Sequence, residues 1–396
     1  MSGVRFLFTC RHGFGHVLPL LPLARAVKAA GHEVAFATGD PFDRVARDAG
    51  FVAFTAGLSV ERWRSEFTSR FGNFDRIPPT EYRPLFFGHV FTDLEVPARL
   101  RDLTAIVDRW RPDVLAHEIA EFAGPIAAAR AGIPYVTCGV GPLLQPAIAE
   151  LAGRSVGPHW QAVGLDARNG RMYRSLYLDS CPPSLQIAAI DRIEHRLQIR
   201  PEAVEEAAGA QDPPWPRNLP PAPTVYLTLG TIFNRNLDVF RTALDGLAGA
   251  HLNVIATVGP DGDLDALGPQ PDHVHLYRFL PQAHVLARCD IVICHGGAGS
   301  TLGALAFGLP ILLLPRGADN FYNAERVLAA GAGRRLLDGE ITPRAVANDV
   351  QSLLTDARYR AAAAAVAEEI AAMPAPASAV TALEHLGTRL TPSAVA

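Results

Sequence analysis

Lysine is almost absent from this chain. Lys28 is the single one, so 35 of the 36 basic residues are arginine, set against 40 acidic residues for a net charge of −4. No large positive field exists to hold a nucleic-acid backbone or an anionic membrane surface, and neither is expected as a partner. Cysteine is sparse. Cys10, Cys138, Cys181, Cys289 and Cys294 are odd in number, scattered and without C-x-x-C spacing. That argues against a disulfide framework or a zinc site and for reduced core thiols in a cytoplasmic protein. Long apolar runs are missing too: nothing approaches the roughly 18–20 residues of a membrane span. His12, Gly13 and Gly15 fall within the first 15 residues and interrupt any signal-peptide core.

What is present is a rhythm. At 396 residues the chain is long enough for two domains. Short apolar runs alternate with longer amphipathic stretches. Val4–Thr9 reads as a strand, Leu18–Ala30 as a helix, Glu33–Thr38 as a strand and Pro41–Ala49 as a helix. The pattern returns at Asp113–Ala116, Ala123–Ala131 and Tyr135–Gly139. A second series runs through Thr224–Gly230, Val239–Leu247, Asn253–Val258, Ile291–His295, Ser300–Phe307 and Ile311–Pro315. Alternation of this kind predicts α/β architecture, with parallel sheets covered on both faces. Between the series lies Asp212–Pro223, with six prolines in twelve residues, which predicts a stiff extended linker. The expected organisation is therefore a domain over 1–211, a linker over 212–223 and a domain over 224–396. From Pro343 onward the tail reads as helices.

One segment breaks the rhythm. Trp63, Phe67, Phe71, Phe74, Tyr82, Phe86, Phe87 and Phe91 place eight of the chain's 31 aromatics within 29 residues, interleaved with arginines. Gly72, Pro78, Pro79 and Pro84 argue against one regular helix. The segment is either a packed insertion or an apolar binding surface for a flat or greasy ligand.

The strongest local signal is Ile291–Thr301, IVICHGGAGST, where a strand runs into a glycine-rich turn and a helix start. Glycines admit close approach to the backbone, and the helix N-terminus offers unpaired N–H groups. The pattern suits phosphate or pyrophosphate, with His295 as a further donor. After the first strand comes His12-Gly-Phe-Gly-His16-Val-Leu-Pro19. Leu18 stands where a dinucleotide fingerprint needs a third glycine, so this G-x-G is weak evidence for a nicotinamide or flavin enzyme. A histidine at a helix start can instead serve as general base, and His12 and His16 both qualify. Glu118, at the end of Asp113–Ala116 and its extension, is a candidate partner carboxylate, or else an ordinary helix-start acid. Asp261-Gly-Asp263-Leu-Asp265 has the D-x-D form of some metal-dependent sugar-nucleotide sites. With no apolar strand before it, it reads as a solvated loop, and no metal is expected.

With these residues in place, the chain resembles the GT-B glycosyltransferases of actinobacterial natural-product pathways, the macrolide and enediyne decorating type. Val4–Ala30, Leu178–Gln186, Thr228–Thr231, Phe279–Gln282, His295–Thr301 and Asp319-Asn320 follow the family's order and spacing. The resemblance implies two doubly wound Rossmann-like domains facing a central cleft. The first would bind the acceptor and the second the nucleotide sugar, with the last helix able to pack back on the first. It implies His16 as base and Glu118, where aspartate is common, as its partner. Phe279 would stack on the nucleobase, with Leu280 and Gln282 contacting base and ribose. His295, Gly297, Gly299, Ser300 and Thr301 would cradle the diphosphate, with Gly230 and Thr231 opposite. Asp319 would bind sugar hydroxyls, and Asn320 stands where glutamine is usual. Trp63, Phe67, Phe71, Phe74, Phe86, Phe87 and Phe91 would line the acceptor pocket.

Many relatives using UDP-sugars carry a glutamate eight residues after the motif histidine; here that position is Gly303. The expected donor is therefore a dTDP-(deoxy)sugar and the expected acceptor a hydrophobic aglycone. Transfer would be inverting and metal-independent, with no cofactor, and the linker would let the domains close. A homodimer is expected only because dimers are common in the family. The alternatives are a UDP-sugar-dependent transferase inactivating an antibiotic, a sugar-nucleotide epimerase, a nicotinamide oxidoreductase, and a non-catalytic auxiliary protein.

Overall fold

The computed structural model describes residues 3–165, 173, 175–202, 219–230, 237–259 and 262–388. The expected linker at 212–223 therefore lies outside the described residues as far as 218, as do Thr231 and Asp261. The chain divides into two compact units. The first takes residues 1–181, 187–200 and 373–396; the second takes 182–186 and 201–372. The last helix, Val380–Thr388, thus belongs to the first unit, where Glu384 lies 2.9 Å from His32 Nε2.

Among the described residues the first unit holds seven strands. They are β1 (Arg5–Thr9), β2 (Glu33–Thr38), β3 (Val52–Thr55), β4 (Val114–Glu118), β5 (Tyr135–Cys138), β6 (Leu176–Asp179) and β7 (Arg196–Gln198). Their order is β3-β2-β1-β4-β5-β6-β7 and every pairing is parallel. The second unit holds β8 (Thr224–Thr228), β9 (Asn253–Thr257), β10 (Val274–Tyr277), β11 (Ile291–Cys294), β12 (Ile311–Leu313) and β13 (Gly333–Arg335), in parallel order β10-β9-β8-β11-β12-β13. The central strands are buried on both faces, as the continuous apolar runs Phe6-Leu7-Phe8 and Ile291-Val292-Ile293 require.

Both sheets reverse direction at one point: between β1 and β4 in the first unit, and between β8 and β11 in the second. The crevice at the carboxyl ends of such a pair is where open α/β sheets bind ligands. His16 follows β1 and Glu118 ends β4; Gly230 follows β8 and His295 follows β11. Topology alone therefore brings these residues together in pairs.

The aromatic segment is irregular, as its prolines and glycine predicted. A helix over Val60–Phe71 gives way to a short turn, a helix over Pro79–Leu85 and a wide π-helical stretch over Phe86–Leu94. Most of it is core. Phe67 is only 1% exposed, enclosed by Trp63, Phe71, Phe74 and Phe86 at centroid distances of 5.1–5.7 Å. Phe86 is buried and stacked on Tyr82 at 4.4 Å. The expectation that Phe67 and Phe86 face a ligand is therefore corrected: neither has surface left to offer. Phe87 and Phe91 are also buried, whereas Trp63, Phe71 and Phe74 are partly exposed.

No described helix is long and apolar enough to cross a membrane. The five cysteines are buried free thiols, and burial pushes Cys10, Cys138, Cys289 and Cys294 up to about 12.

Candidate functional site

In the first unit the site begins at the end of β1. Gly13 starts a single helical turn, Phe14–Val17, that carries His16; a Cβ at Gly13 would lie 3.2 Å from the His16 ring. His16 Nδ1 lies 2.9 Å from Glu118 Oε1, with the ring N–H directed beside the oxygen rather than straight at it. Glu118 is fully buried, and its other oxygen accepts from Ala120 N–H at 2.7 Å. The extra methylene relative to aspartate is thus accommodated. Burial pushes the Glu118 carboxyl upward, but His16, the Ala120 N–H and Arg11 outweigh it and hold the group below the usual range.

Two residues at this site were not legible from the motifs. The Arg11 guanidinium donates to His16 Nε2 at 3.0 Å through Nη1. A guanidinium can only donate, so Nε2 is the acceptor and the ring proton sits on Nδ1, facing Glu118. Arg11 in turn makes a bidentate pair with Glu95, at 2.8 Å through Nε and 2.6 Å through Nη2. Glu95 also accepts from Trp63 Nε1 at 2.7 Å, and Phe91 lies under the guanidinium at 3.6 Å. Burial raises the Glu95 carboxyl, yet Arg11 wins and holds it at about 2. The available signal was Glu95 itself, an acid directly after the largely apolar stretch Phe86–Leu94.

His12, the rival base, is held differently. Burial lowers it to about 3, and its ring meets Trp63 edge-on at 5.5 Å. His117 is a satisfied core residue: its Nδ1 donates to Glu121 O at 2.8 Å, and its Nε2 accepts from Thr137 Oγ1 at 2.8 Å. Glu121, also buried, is pushed up to about 7 by that burial, against Arg99 and the N–H groups of Ala123 and Gly124.

In the second unit the glycines of HGGAGST have specific jobs. A Cβ on Gly230 would lie 2.5 Å from His295 Cε1, and one on Gly297 would lie 2.5 Å from His295 Nε2. The imidazole therefore fits only because both neighbours lack side chains. Burial lowers His295 to about 4, with Asp319 pulling the other way, so the ring is neutral near pH 7. Gly297 caps the helix Ala298–Ala306 with no side-chain hydrogen bond, leaving the first-turn N–H groups beside Gly299 and Ser300 free of a side-chain cap. Thr301 differs: it is buried beside the Cys294 thiol, so its hydroxyl is turned into the fold.

Phe279 is 46% exposed, a large flat ring on the surface. Leu280 next to it is buried. Gln282 begins a helix, and its Oε1 would lie 3.5 Å from a Cβ at Gly303.

Asp319 and Asn320 are held within their own loop. Asn320 is buried, and its Oδ1 accepts from Gly317 N–H at 3.2 Å and Arg316 N–H at 3.4 Å. Its amide therefore shapes the turn rather than projecting from it. Asn323, missed in the sequence, donates at 2.8 Å to Asp319 and at 2.8 Å to Gly296 O, tying the acid to the glycine-rich turn. Asp263 of the D-x-D stretch accepts from the N–H groups of Asp265 and Ala266, a local turn. Among the described residues no group of three or more histidine, cysteine or acidic side chains gathers as metal ligands.

Comparison with known proteins identifies the family. The chain matches the Erythromycin biosynthesis protein CIII-like family, its N-terminal domain over residues 89–230 and its C-terminal domain over 241–386. It is 33% identical to the L-demethylnoviosyl transferase of Streptomyces niveus, covering 98% of this chain and 100% of that one. It is 31% identical to the elloramycin glycosyltransferase ElmGT of Streptomyces olivaceus, covering 94% and 95%. Among solved structures, the glycosyltransferase SsfS6 of Streptomyces sp. SF2575, complexed with thymidine diphosphate, superposes with a TM-score of 0.79 at 27% identity, over 96% and 99% of the two chains. With both family domains matched and both parallel sheets in place, the chain belongs to the erythromycin-CIII-like family of actinobacterial natural-product glycosyltransferases, of GT-B fold.

Proposed function

We propose that this enzyme transfers a deoxysugar from a dTDP-sugar to a hydroxyl of a hydrophobic natural-product aglycone, with inversion and without metal. The observation that carries the reading is the His16–Glu118 contact of 2.9 Å at the switch point of the first sheet. With the ring proton on Nδ1 beside Glu118, Nε2 is the nitrogen that receives the acceptor's proton, in exchange for the hydrogen bond it accepts from Arg11. As His16 takes that proton, the acceptor oxygen bonds to the anomeric carbon. The bond to the diphosphate breaks on the opposite face, and the diphosphate leaves with the electron pair. The first-turn N–H groups near Gly299 and Ser300, with His295, are placed to stabilise that charge. Phe279 offers its exposed ring to the base.

The choice of dTDP rests on Gly303, where no carboxylate is present to bind a ribose 2′-hydroxyl, and is supported by the thymidine diphosphate complex of SsfS6. The aglycone class is inferred from relatives such as the elloramycin and L-demethylnoviosyl transferases. Asp319 is proposed to bind a sugar hydroxyl, and the partly exposed Trp63, Phe71 and Phe74 to border the acceptor. The decisive test is proton NMR of the product made with a dTDP-deoxysugar, with and without EDTA. An anomeric configuration opposite to the donor's, formed equally in EDTA, is expected. Retained configuration, or loss of turnover on chelation, would overturn the mechanism.

A further inference from the structure

The contact between Arg11 and His16 has a consequence for what the enzyme accepts. Nε2, the atom proposed to receive the acceptor's proton, already accepts from a cationic donor 3.0 Å away. Arg11 is not a loose side chain. It is buried, its Nε and Nη2 are fixed on Glu95, Phe91 lies under its plane, and Trp63 Nε1 holds Glu95 from the other side. Only Nη1 faces His16, and Nη1 carries two hydrogens. Any oxygen that donates its proton to Nε2 must therefore sit within reach of a fixed guanidinium N–H.

We infer that Arg11 is a second arm of the acceptor site, binding the acceptor oxygen as it becomes an oxyanion and selecting hydroxyls on unsaturated carbon, phenols or enols, over alkyl alcohols. This rests on the reading of His16 as base. A charge-assisted hydrogen bond gains strength as negative charge grows on its acceptor, so Arg11 helps most where the oxygen ionises readily. The acceptor oxygen inserts between Nη1 and Nε2, accepts the Arg11 N–H in place of Nε2 and passes its proton to Nε2, while Glu118 balances the imidazolium. Glu95 keeps the guanidinium in place without neutralising Nη1 directly, since its oxygens are taken by Nε and Nη2. The same cation disfavours an acceptor with an ammonium beside its hydroxyl. The aromatic segment thereby gains a role beyond packing, because Trp63 and Phe91 are what hold the Glu95–Arg11 pair.

The test needs no turnover. The full-length protein is titrated into 4-nitrophenol at the pH where the free phenol is half ionised. The phenolate absorbance band is followed, while equilibrium dialysis gives the amount bound. The wild type should raise the phenolate-to-phenol ratio of bound ligand about tenfold, the size of one charge-assisted hydrogen bond. Arg11→Gln should abolish the rise. Because that change strands a buried carboxylate, the double variant R11Q/E95Q is measured beside it, with circular dichroism reporting the fold. Ligand bound as neutral phenol, an unchanged rise in R11Q/E95Q, or no binding to the wild type would each overturn the inference. The His16→Ala variant separates the two readings. A rise lost in His16→Ala but kept in R11Q/E95Q sinks Arg11 and spares the base. A rise lost in R11Q/E95Q, whether or not His16→Ala loses it too, supports Arg11, and the base reading then stands or falls on the turnover of His16→Ala.

Discussion

Each unit places a histidine at the switch point of its parallel sheet, on opposite strands of the flanking pair, and surrounds it differently. His16 and His295 each follow a central strand at the switch point of a parallel sheet. His16 has a buried carboxylate on one nitrogen and a guanidinium on the other, so both ring nitrogens are assigned and the tautomer is set. His295 is wedged between Gly230 and Gly297, and burial lowers it to about 4. A carboxylate partner suits a group that must gain a proton during reaction. A desolvated neutral ring among glycines suits a group that offers a hydrogen bond to an incoming anion. Both rings sit at a switch point, one on each strand of the flanking pair, and their neighbours differ.

The largest effect that could break this comparison is the loss of His16. His16→Ala should lower turnover by about 10²–10⁴, the usual worth of a general base, while calorimetry shows unchanged dTDP affinity. Near-normal turnover would remove the difference in roles altogether. The aromatics of the two units offer the next contrast. Phe67→Ala should cost about 3–5 kcal/mol in chemical denaturation, as for any enclosed phenylalanine. Phe279→Ala should change stability by no more than about 0.5 kcal/mol yet weaken dTDP about tenfold. Equal stability losses would mean that the buried and exposed readings of the two rings are wrong.

Acid provides a third test. The folded value of His295 lies below its ordinary 6.5, at about 4, so the unfolded chain binds the extra proton as pH falls through that window. Stability contributed by the neutral ring is complete above pH 6.5 and is lost toward pH 4, roughly 3 kcal/mol at most. Wild type and His295→Gln should therefore diverge in stability as pH falls from 6.5 to 4. A gap independent of pH would refute the burial argument. Smallest is the donor choice. A Cβ at Gly303 meets Leu286 at 3.4 Å and Gln282 at 3.5 Å, ordinary contacts, so Gly303→Glu should fold. It should shift the UDP-to-dTDP affinity ratio about tenfold toward UDP, read by calorimetry. An unmoved ratio would detach donor choice from that position.

Much of this was legible in one dimension because it depends on local chemistry. Short apolar runs such as Phe6–Phe8 and Ile291–Ile293, each leading into a glycine-containing turn, mark buried strands, and Glu33–Thr38 was bounded to the residue. Weaker strands escaped. β7, Arg196–Gln198, and β13, Gly333–Arg335, carry charged residues at the sheet edges, where no apolar run is required. The aromatic segment was ambiguous because a phenylalanine bound for the core and one bound for a ligand are the same residue. Only enclosure by its neighbours separates Phe67 from the partly exposed Phe71.

By itself the sequence determined the α/β alternation, the two glycine-rich turns and the absence of a positive field, each of which follows from periodicity, composition or spacing along the chain. It left His12 and His16 as rival bases and Glu118 as one candidate partner, and only the family resemblance singled out His16 with Glu118. Tertiary structure alone decided that Arg11 reaches Glu95 across 84 residues of sequence, that Asn320 turns into its own loop while Asn323 supports Asp319, and that Leu280 and Thr301 are buried. Side-chain direction and long-range pairing depend on packing against residues distant in the chain, and no local pattern encodes where those residues will be.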